Sequence, residues 1–568
     1  MDSGSMGEDQ QVQRTYAGLR SWCLFLAGLS LLDLLITLVL VIIHAANPAS
    51  IAVTDLTPFV YILTGGSAAS TASGVLWLLL RYPKQRKVIL VLLCITVGIM
   101  VAHLYTINSP ATSQCFGTVG VQGCVFDEIR YIPAAQALLS GEKCGPYLDN
   151  CNLEHPFLAK AFIAAGIALF GDNDFGWRFF EALLGTLCIP LVFGICVKFT
   201  RDNRLALFAA FLIAFETLFF VQSSIAVIDI YMIFFGLLAF LVYVADVHFW
   251  KFDRYVISGM LLGLSALSKE LGVFMLAFLV FYILVFGAGG RRVRTISSVK
   301  MLAVAVALFC VGLQLYDSLF GNSVTTTFVA DIQYILSYSA SLKVNGFSIF
   351  ANGQPPYITP FEWFLYYFPV NYDVIHATAT TGLRSISYVS VGYFGVPNFI
   401  ETWFVYIWVP YVVYLGYKRW KGRRDAAHGS PSHKLPGTLW SPGSFAYSSA
   451  GSTSTTSSTG PTKPMTYGYQ SVQGGEAPAY ELARFAALWF AFTFVPYVLI
   501  FLYGRVTYPY YILAADPALA IGMAYVMTRR WFPRGIAYIL LAAVFGWFFL
   551  FYPDKSFLPI WIRALLGY

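Results

Sequence analysis

The feature that most constrains this chain is a succession of apolar runs, each long enough to cross a lipid bilayer. A helix rises about 1.5 Å per residue, so about 17–25 apolar residues cover a hydrocarbon core roughly 30 Å thick. Such runs occur at 21–44, 57–80, 87–106, 176–199, 205–221, 225–247, 255–268, 271–288, 300–316, 398–417, 481–503, 508–527 and 535–552. In lipid every backbone polar group must be satisfied within the chain, which leaves helices as the solution for runs of this length. The expectation is an all-α polytopic membrane protein with about 13 transmembrane helices. Over 568 residues the chain is 58% hydrophobic and only 11% charged, less than half the charge of an ordinary soluble domain, at roughly 25%.

The net charge of +7 raises the question of nucleic acid. The basic residues argue against it, because they sit in short clusters between apolar runs rather than along one face. Lys and Arg in short loops favour the cytoplasm, and the clusters obey one parity. With the N-terminus inside, Arg81, Lys84, Arg86 and Lys87, then Lys198, Arg201 and Arg204, then Lys251 and Arg254, then Arg291, Arg292, Arg294 and Lys300, then Lys418 to Arg424, then Arg529, Arg530 and Arg534 all fall on one side. Two long loops, 107–175 and 317–397, then emerge on the other side. Both are rich in Tyr, Phe, Pro and Asp and are expected to fold. Residues 425–478, rich in Ser, Thr, Gly and Pro, cannot bury enough apolar surface to offset ordering entropy, and read as a disordered cytoplasmic linker. The organisation expected is a tail with two added spans (1–86), a core (87–300) containing the first outer loop, the second outer loop with its following span (301–424), the linker, and C-terminal spans (479–568).

Cys115, Cys124, Cys144 and Cys151 share the first outer loop, where oxidising conditions permit disulfides. Pairing of near neighbours is the simplest of three connectivities; a four-cysteine zinc site has the wrong spacing. Charged groups in or beside a bilayer are costly, so their placement is informative. Here they gather at the outer ends of spans. Asp127 and Glu128 stand beside the membrane surface, and Glu154 and His155 close the same loop. Arg178 opens a span, Asp229 lies just inside another, Lys269 and Glu270 occupy an outer hairpin, and Arg505 ends a span. A carboxylate in such a partly desolvated place suits general-base work on a hydroxyl. Arginines suit bidentate phosphate contacts, although Arg178 and Arg505 read equally well as snorkelling anchors, and Lys269 with Glu270 as a topology pair. Glu216 is an intramembrane acid of the kind that marks function.

These groups lie on motifs in a fixed order: Phe126-Asp-Glu-Ile-Arg-Tyr131, Glu154-His-Pro-Phe-Leu-Ala-Lys160, Gly176-Trp-Arg-Phe-Phe-Glu-Ala182, Gln222-Ser223 with Asp229, and Ser268-Lys-Glu270. Looser marks follow at Glu362-Trp363, Gly395-Val-Pro-Asn398 and Tyr508-Pro-Tyr-Tyr511. In this order they resemble the dolichyl-phosphate-mannose protein mannosyltransferase family, best over 87–300; bacterial lipid A aminoarabinose transferases share some of the motifs. The family usually carries His-Pro-Pro-Leu-Gly-Lys where this chain has His155 to Lys160, an Arg where Ser224 stands, and often a Trp where Glu270 stands.

The resemblance implies a C-type glycosyltransferase fold and an inverting transfer of mannose or a related sugar from a dolichyl or polyprenyl phosphate to Ser/Thr hydroxyls of exported proteins. Asp127, with Glu128, is then catalytic. Arg178, Arg505 and Lys269 hold the donor phosphate, and Glu154, His155, Gln222, Asp229, Glu270 and Tyr510 line the substrates. The lipid-linked sugar is the co-substrate; no cofactor or metal ligand set is implied, and a divalent metal such as Mg or Mn stays open. A homodimer is implied, and the setting expected is a plasma membrane with the site on the extracytoplasmic side. A lipid or glycan acceptor remains an alternative. A transporter is the rival of another class, against which stand the absence of an internal repeat and of broken helices at matching positions.

Overall fold

The structure is a computed structural model that describes residues 69, 72–109, 125–141, 151–320, 327–343, 360, 362–364, 370–381, 384–427 and 476–552. The run at 21–44, most of that at 57–80, and nearly all of the expected linker fall outside these residues. From residue 87 onward every expected apolar run coincides with helix. The elements used below are α1 (Arg86–Thr106), α2 (Glu128–Ser140), α3 (Leu158–Phe170), α4 (Asp174–Thr200), α5 (Asn203–Ala214), α6 (Thr217–Gln222), α7 (Asp229–Ala245), α8 (Arg254–Ser268), α9 (Gly272–Phe286), α10 (Arg291–Phe320) and α11 (Phe328–Ser341). They continue with strands β1 (Val370–Thr381) and β2 (Arg384–Gly395), then α12 (Phe399–Trp403), α13 (Val405–Ala427), α14 (Glu476–Leu502), α15 (Asp516–Met527) and α16 (Arg534–Leu550).

Among the described residues five helical segments are long and apolar enough to cross a membrane: Pro83–Thr106, Asp174–Thr200, Arg291–Ser318, Phe399–Asp425 and Ala477–Leu502. The chain is an integral membrane protein. Two of the other expected runs are not continuous α-helix. The run at 205–221 divides into α5 and α6 at Glu216, whose carboxylate accepts from Phe219 N at 2.5 Å and from Asn398 N at 2.7 Å. Such a side chain satisfies backbone donors that the break would otherwise orphan. The run at 508–527 opens as a 3-10 turn, Pro509–Ala514, before α15.

Two loop regions carry structure of their own. The loop over 107–175 contains α2 and α3. The second contains α11 and an antiparallel hairpin in register from Val370↔Gly395 to Thr381↔Arg384, with an irregularity around Asp373. One hairpin among the described residues accompanies the helices of the expected all-α fold. Alternation of β-branched or aromatic with small polar residues, as in Ser385-Ile-Ser-Tyr-Val-Ser-Val391, favours strand over helix there.

At the centre of the bundle α4 packs on α3, α5 and α7, and α8 packs on α7 and α10. The approach of α8 to α10 depends on Gly259 and Gly263: a Cβ added to them would lie 2.6 Å from Met301 O and 2.9 Å from Ala305 O. Small residues four apart let two helices approach closely in a membrane. The contact fixes the end of α8, where Lys269 and Glu270 begin the next turn.

Candidate active site

Asp127 and Glu128 are adjacent in sequence and face different surroundings. Glu128 N donates to Val125 O at 3.0 Å, closing a tight turn from which α2 begins. The Glu128 side chain points into the protein and is fully buried. There it accepts Arg178 Nε at 2.7 Å, Arg178 Nη2 at 2.9 Å, Ala226 N at 2.8 Å and Val125 N at 3.2 Å. Arg178, equally buried, gives its remaining terminal nitrogen to Ile107 O at 2.9 Å. Glu128, expected in catalysis, and Arg178, expected at the donor phosphate, are each other's partner in this structure. Together they join α2, α4, the end of α1 and the bend that follows α6.

Asp127 is half-buried and makes no capping bond to α2. Burial raises its pKa to about 6, with Asp229 adding to the rise, while Lys269, His155 and Arg130 oppose it. Lys269 is the largest of those opposing charges. Its Nζ lies 2.6 Å from Asp229 Oδ1 and 5.7 Å from the ring centroids of both Tyr510 and Tyr511, a cation–π arrangement. Burial alone would lower its pKa, but Asp229 and Glu270 outweigh it and the net direction is upward. His155 Nδ1 lies 2.8 Å from Glu270 Oε2. Against burial, which raises it, His155 and Lys269 hold Glu270 down to about 2.

The segment after α14 closes the other side. Arg505 Nε donates to Ser339 O at 2.9 Å, and Val506 N donates to Leu342 O at 3.0 Å. The loop over 317–397 thus reaches the same end of the bundle as that over 107–175. Both Lys269 and Arg505 act electrostatically on Tyr511, opposing the rise that burial gives its phenol. Trp363 packs against Tyr497 and Tyr511 at 5.8 and 6.4 Å between ring centroids. Glu154 is half-buried and within electrostatic reach of Lys160 and Tyr338. Gln222 is buried at the end of α6, one bend away from the Ala226 amide that Glu128 accepts. Cys115, Cys124 and Cys144 lie outside the described residues; Cys151 is disulfide-bonded. Among the described residues no three His, Cys, Asp or Glu side chains lie close enough together to hold a metal ion.

Three further polar residues belong to this framework without having been assigned a role from the sequence. Lys160, on α3, buries its ammonium and donates to Cys151 O at 3.2 Å, Asn152 O at 2.5 Å and His155 O at 2.8 Å. Burial lowers its pKa to about 7, yet three carbonyl acceptors suit an ammonium with three donors. It shapes the loop that carries His155. Glu181, one turn after Arg178, accepts the Tyr231 hydroxyl at 2.5 Å. His103 Nδ1 lies 2.9 Å from Ser224 Oγ. The available signal was a lone charge inside an apolar stretch, as in Leu158-Ala-Lys-Ala-Phe-Ile163.

A one-ended cluster of carboxylates and cations at the mouth of a membrane bundle agrees with the order of motifs read in the sequence. Residues 154–316 match the family model described as dolichyl-phosphate-mannose-protein mannosyltransferase. Among curated proteins, the polyprenol-phosphate-mannose–protein mannosyltransferase of Mycobacterium tuberculosis is 29% identical over 195 residues, covering 30% of this chain and 37% of that protein. The undecaprenyl phosphate-α-4-amino-4-deoxy-L-arabinose arabinosyl transferase of Pseudomonas paraeruginosa is 31% identical over 194 residues, 32% of this chain and 34% of that one. The chain thus covers little more than a third of these relatives. Of solved structures, the S. cerevisiae protein O-mannosyltransferase Pmt1-Pmt2 complex bound to the sugar donor aligns over 82% of this chain and 90% of that chain, at 12% identity and a TM-score of 0.49. ArnT from Cupriavidus metallidurans bound to undecaprenyl phosphate aligns over 79% and 63%, at 16% identity and 0.42.

Proposed function

We propose that this chain is a membrane glycosyltransferase that moves mannose, or a related sugar, from a polyprenyl phosphate to a Ser or Thr hydroxyl of an exported protein, on the extracytoplasmic side of the membrane. The observation that carries this reading is Asp127: a carboxyl raised to about 6, without a capping bond of its own, and opposed by the buried cation Lys269. A group tuned near working pH is suited to accept a proton. The acceptor oxygen attacks the anomeric carbon as its proton passes to Asp127. The sugar–phosphate C–O bond breaks, and its electron pair leaves on the lipid phosphate. Attack opposite the leaving group inverts configuration. Lys269 and Arg505, both acting electrostatically on Tyr511, stabilise the charge that develops on the phosphate. Glu128 and Arg178 support the turn that presents Asp127 and touch no reactant.

The test is transfer of labelled mannose from a polyprenyl-phosphate mannose to a Ser/Thr-rich peptide by the purified protein in lipid vesicles. Wild-type transfer that disappears in a folded Asp127→Asn variant supports the reading; a wild type that moves no sugar to peptide rejects it. A lipid acceptor is the second reading, favoured by the similarity to the arabinosyl transferase. It is recognised by transfer to a lipid in place of peptide under the same conditions.

A further inference from the structure

Phe126 holds a backbone conformation that its own side chain opposes. Its φ is +52°; Asp127 follows at φ −75°, ψ −3°, and the turn closes from Glu128 N to Val125 O at 3.0 Å. This is the pattern of a type II′ turn, whose first central position belongs to Gly because a Cβ there is crowded. A bulky residue persists at such a position only when its surroundings impose it. The Phe126 ring stands edge-on to Tyr510, with centroids 5.4 Å apart and planes at 84°. The Tyr510 ring in turn faces the Lys269 ammonium at 5.7 Å, and that ammonium is held by Asp229 at 2.6 Å. One aromatic contact therefore connects the turn bearing Asp127 to the cation from the α8–α9 hairpin and to the segment after Arg505.

Resting on the transferase reading above, we infer that Phe126 is a positioning residue for proton transfer: its ring, seated on Tyr510, holds the Asp127 carboxylate within the field of Lys269 and limits the water that reaches it. The turn itself does not need the ring, since glycine would form it with less strain. The ring is also half-buried at the edge of the core rather than deep within it, so packing alone gives it little reason to occupy a strained site. The charges facing Asp127 are Lys269, His155 and Arg130, which lower its pKa, and Asp229, which raises it; burial is the largest influence and raises it to about 6. Removing the ring hydrates the carboxylate and moves its titration down toward the ordinary range.

The test uses the full chain in lipid vesicles, with kcat and KM for mannose transfer followed against pH in wild type, Phe126→Gly, Phe126→Leu, Tyr510→Ala and the Gly/Ala double variant. Glycine suits the turn, so F126G is expected to melt no lower than wild type, while kcat falls about 100-fold from the misplaced base and donor KM stays within a few-fold. The acid limb of its profile should move down by about one pH unit as burial is relieved. F126L, which keeps apolar bulk, should lie between the two. Because one contact is being removed from either side, the double variant should be no slower than the worse single variant. Turnover in F126G equal to wild type, an acid limb that does not move, or losses that simply multiply in the double variant would each overturn the role. Wild-type transfer in the same experiment leaves the transferase reading intact whichever way Phe126 falls; a wild type that transfers nothing removes both.

Discussion

Two carboxylates adjacent in sequence meet different surroundings because one side chain turns inward. Glu128 meets Arg178 from 50 positions away, a pairing that no local pattern announces; the sequence motif marked both acids and could not separate them. The pairing has a measurable signature. Arg178→Met leaves a buried carboxylate without its cation, a change that costs about 3–5 kcal/mol in comparable sites, and should appear as a large drop in melting temperature and yield. Lys269→Met should behave differently. Lys269 holds the Asp127 pKa down against burial, so its removal moves that pKa further above 6. If Asp127 is the base, as proposed, transfer by wild type should decline as pH falls through about 6. In the Lys269 variant that decline begins at higher pH, and the kcat/KM profile over pH 5 to 9 reads it directly.

Among the elements, the long apolar runs were legible and their interruptions were not. Apolar periodicity fixes where lipid-facing helix must be, whereas the break at Glu216 depends on a cap reaching Asn398 N across 182 positions. Helices α2 and α3, at 13 residues each, are too short to register as spans, and the hairpin of β1 and β2 is too polar to do so. The α8–α10 contact is legible in one respect: Gly259 and Gly263 stand four residues apart, the spacing that brings helix faces together. Gly259→Leu must push α8 off Met301 O, which a Cβ at 259 would meet at 2.6 Å. The end of α8 carries Lys269, and a displacement of this kind should lower kcat by more than it lowers peptide affinity. Steady-state kinetics beside a melting curve separate that effect from simple unfolding.

Across the whole molecule, chemistry collects at one end of the bundle and the long connection leaves from the other. Asp127, Asp229, Lys269 and Arg505 come from four separate parts of the chain yet act on Tyr510 and Tyr511. The α13–α14 connection lies almost wholly outside the described residues. Its two flanking helices already touch, with the Arg419 guanidinium 3.9 Å from the Tyr480 ring centroid, so the residues between them need not set any distance. Replacing 430–470 by a short Gly/Ser linker should leave mannose transfer and melting temperature unchanged within error; a loss of either would assign that segment a role in the fold or the reaction.

The Lys269–Asp229 ion pair has a bearing on turnover. A cation already partnered by a carboxylate at 2.6 Å does not meet an arriving phosphate as an unneutralised charge, so the gain on binding is the difference between two competing anions. On the proposed transferase reading, the spent carrier that departs after each cycle then faces an internal rival ready to retake the ammonium. An exchangeable counter-ion of this kind trades tightness for release. Asp229→Asn should therefore hold the unloaded lipid phosphate more firmly and slow the enzyme through product inhibition, visible as a burst of transfer followed by a reduced steady rate.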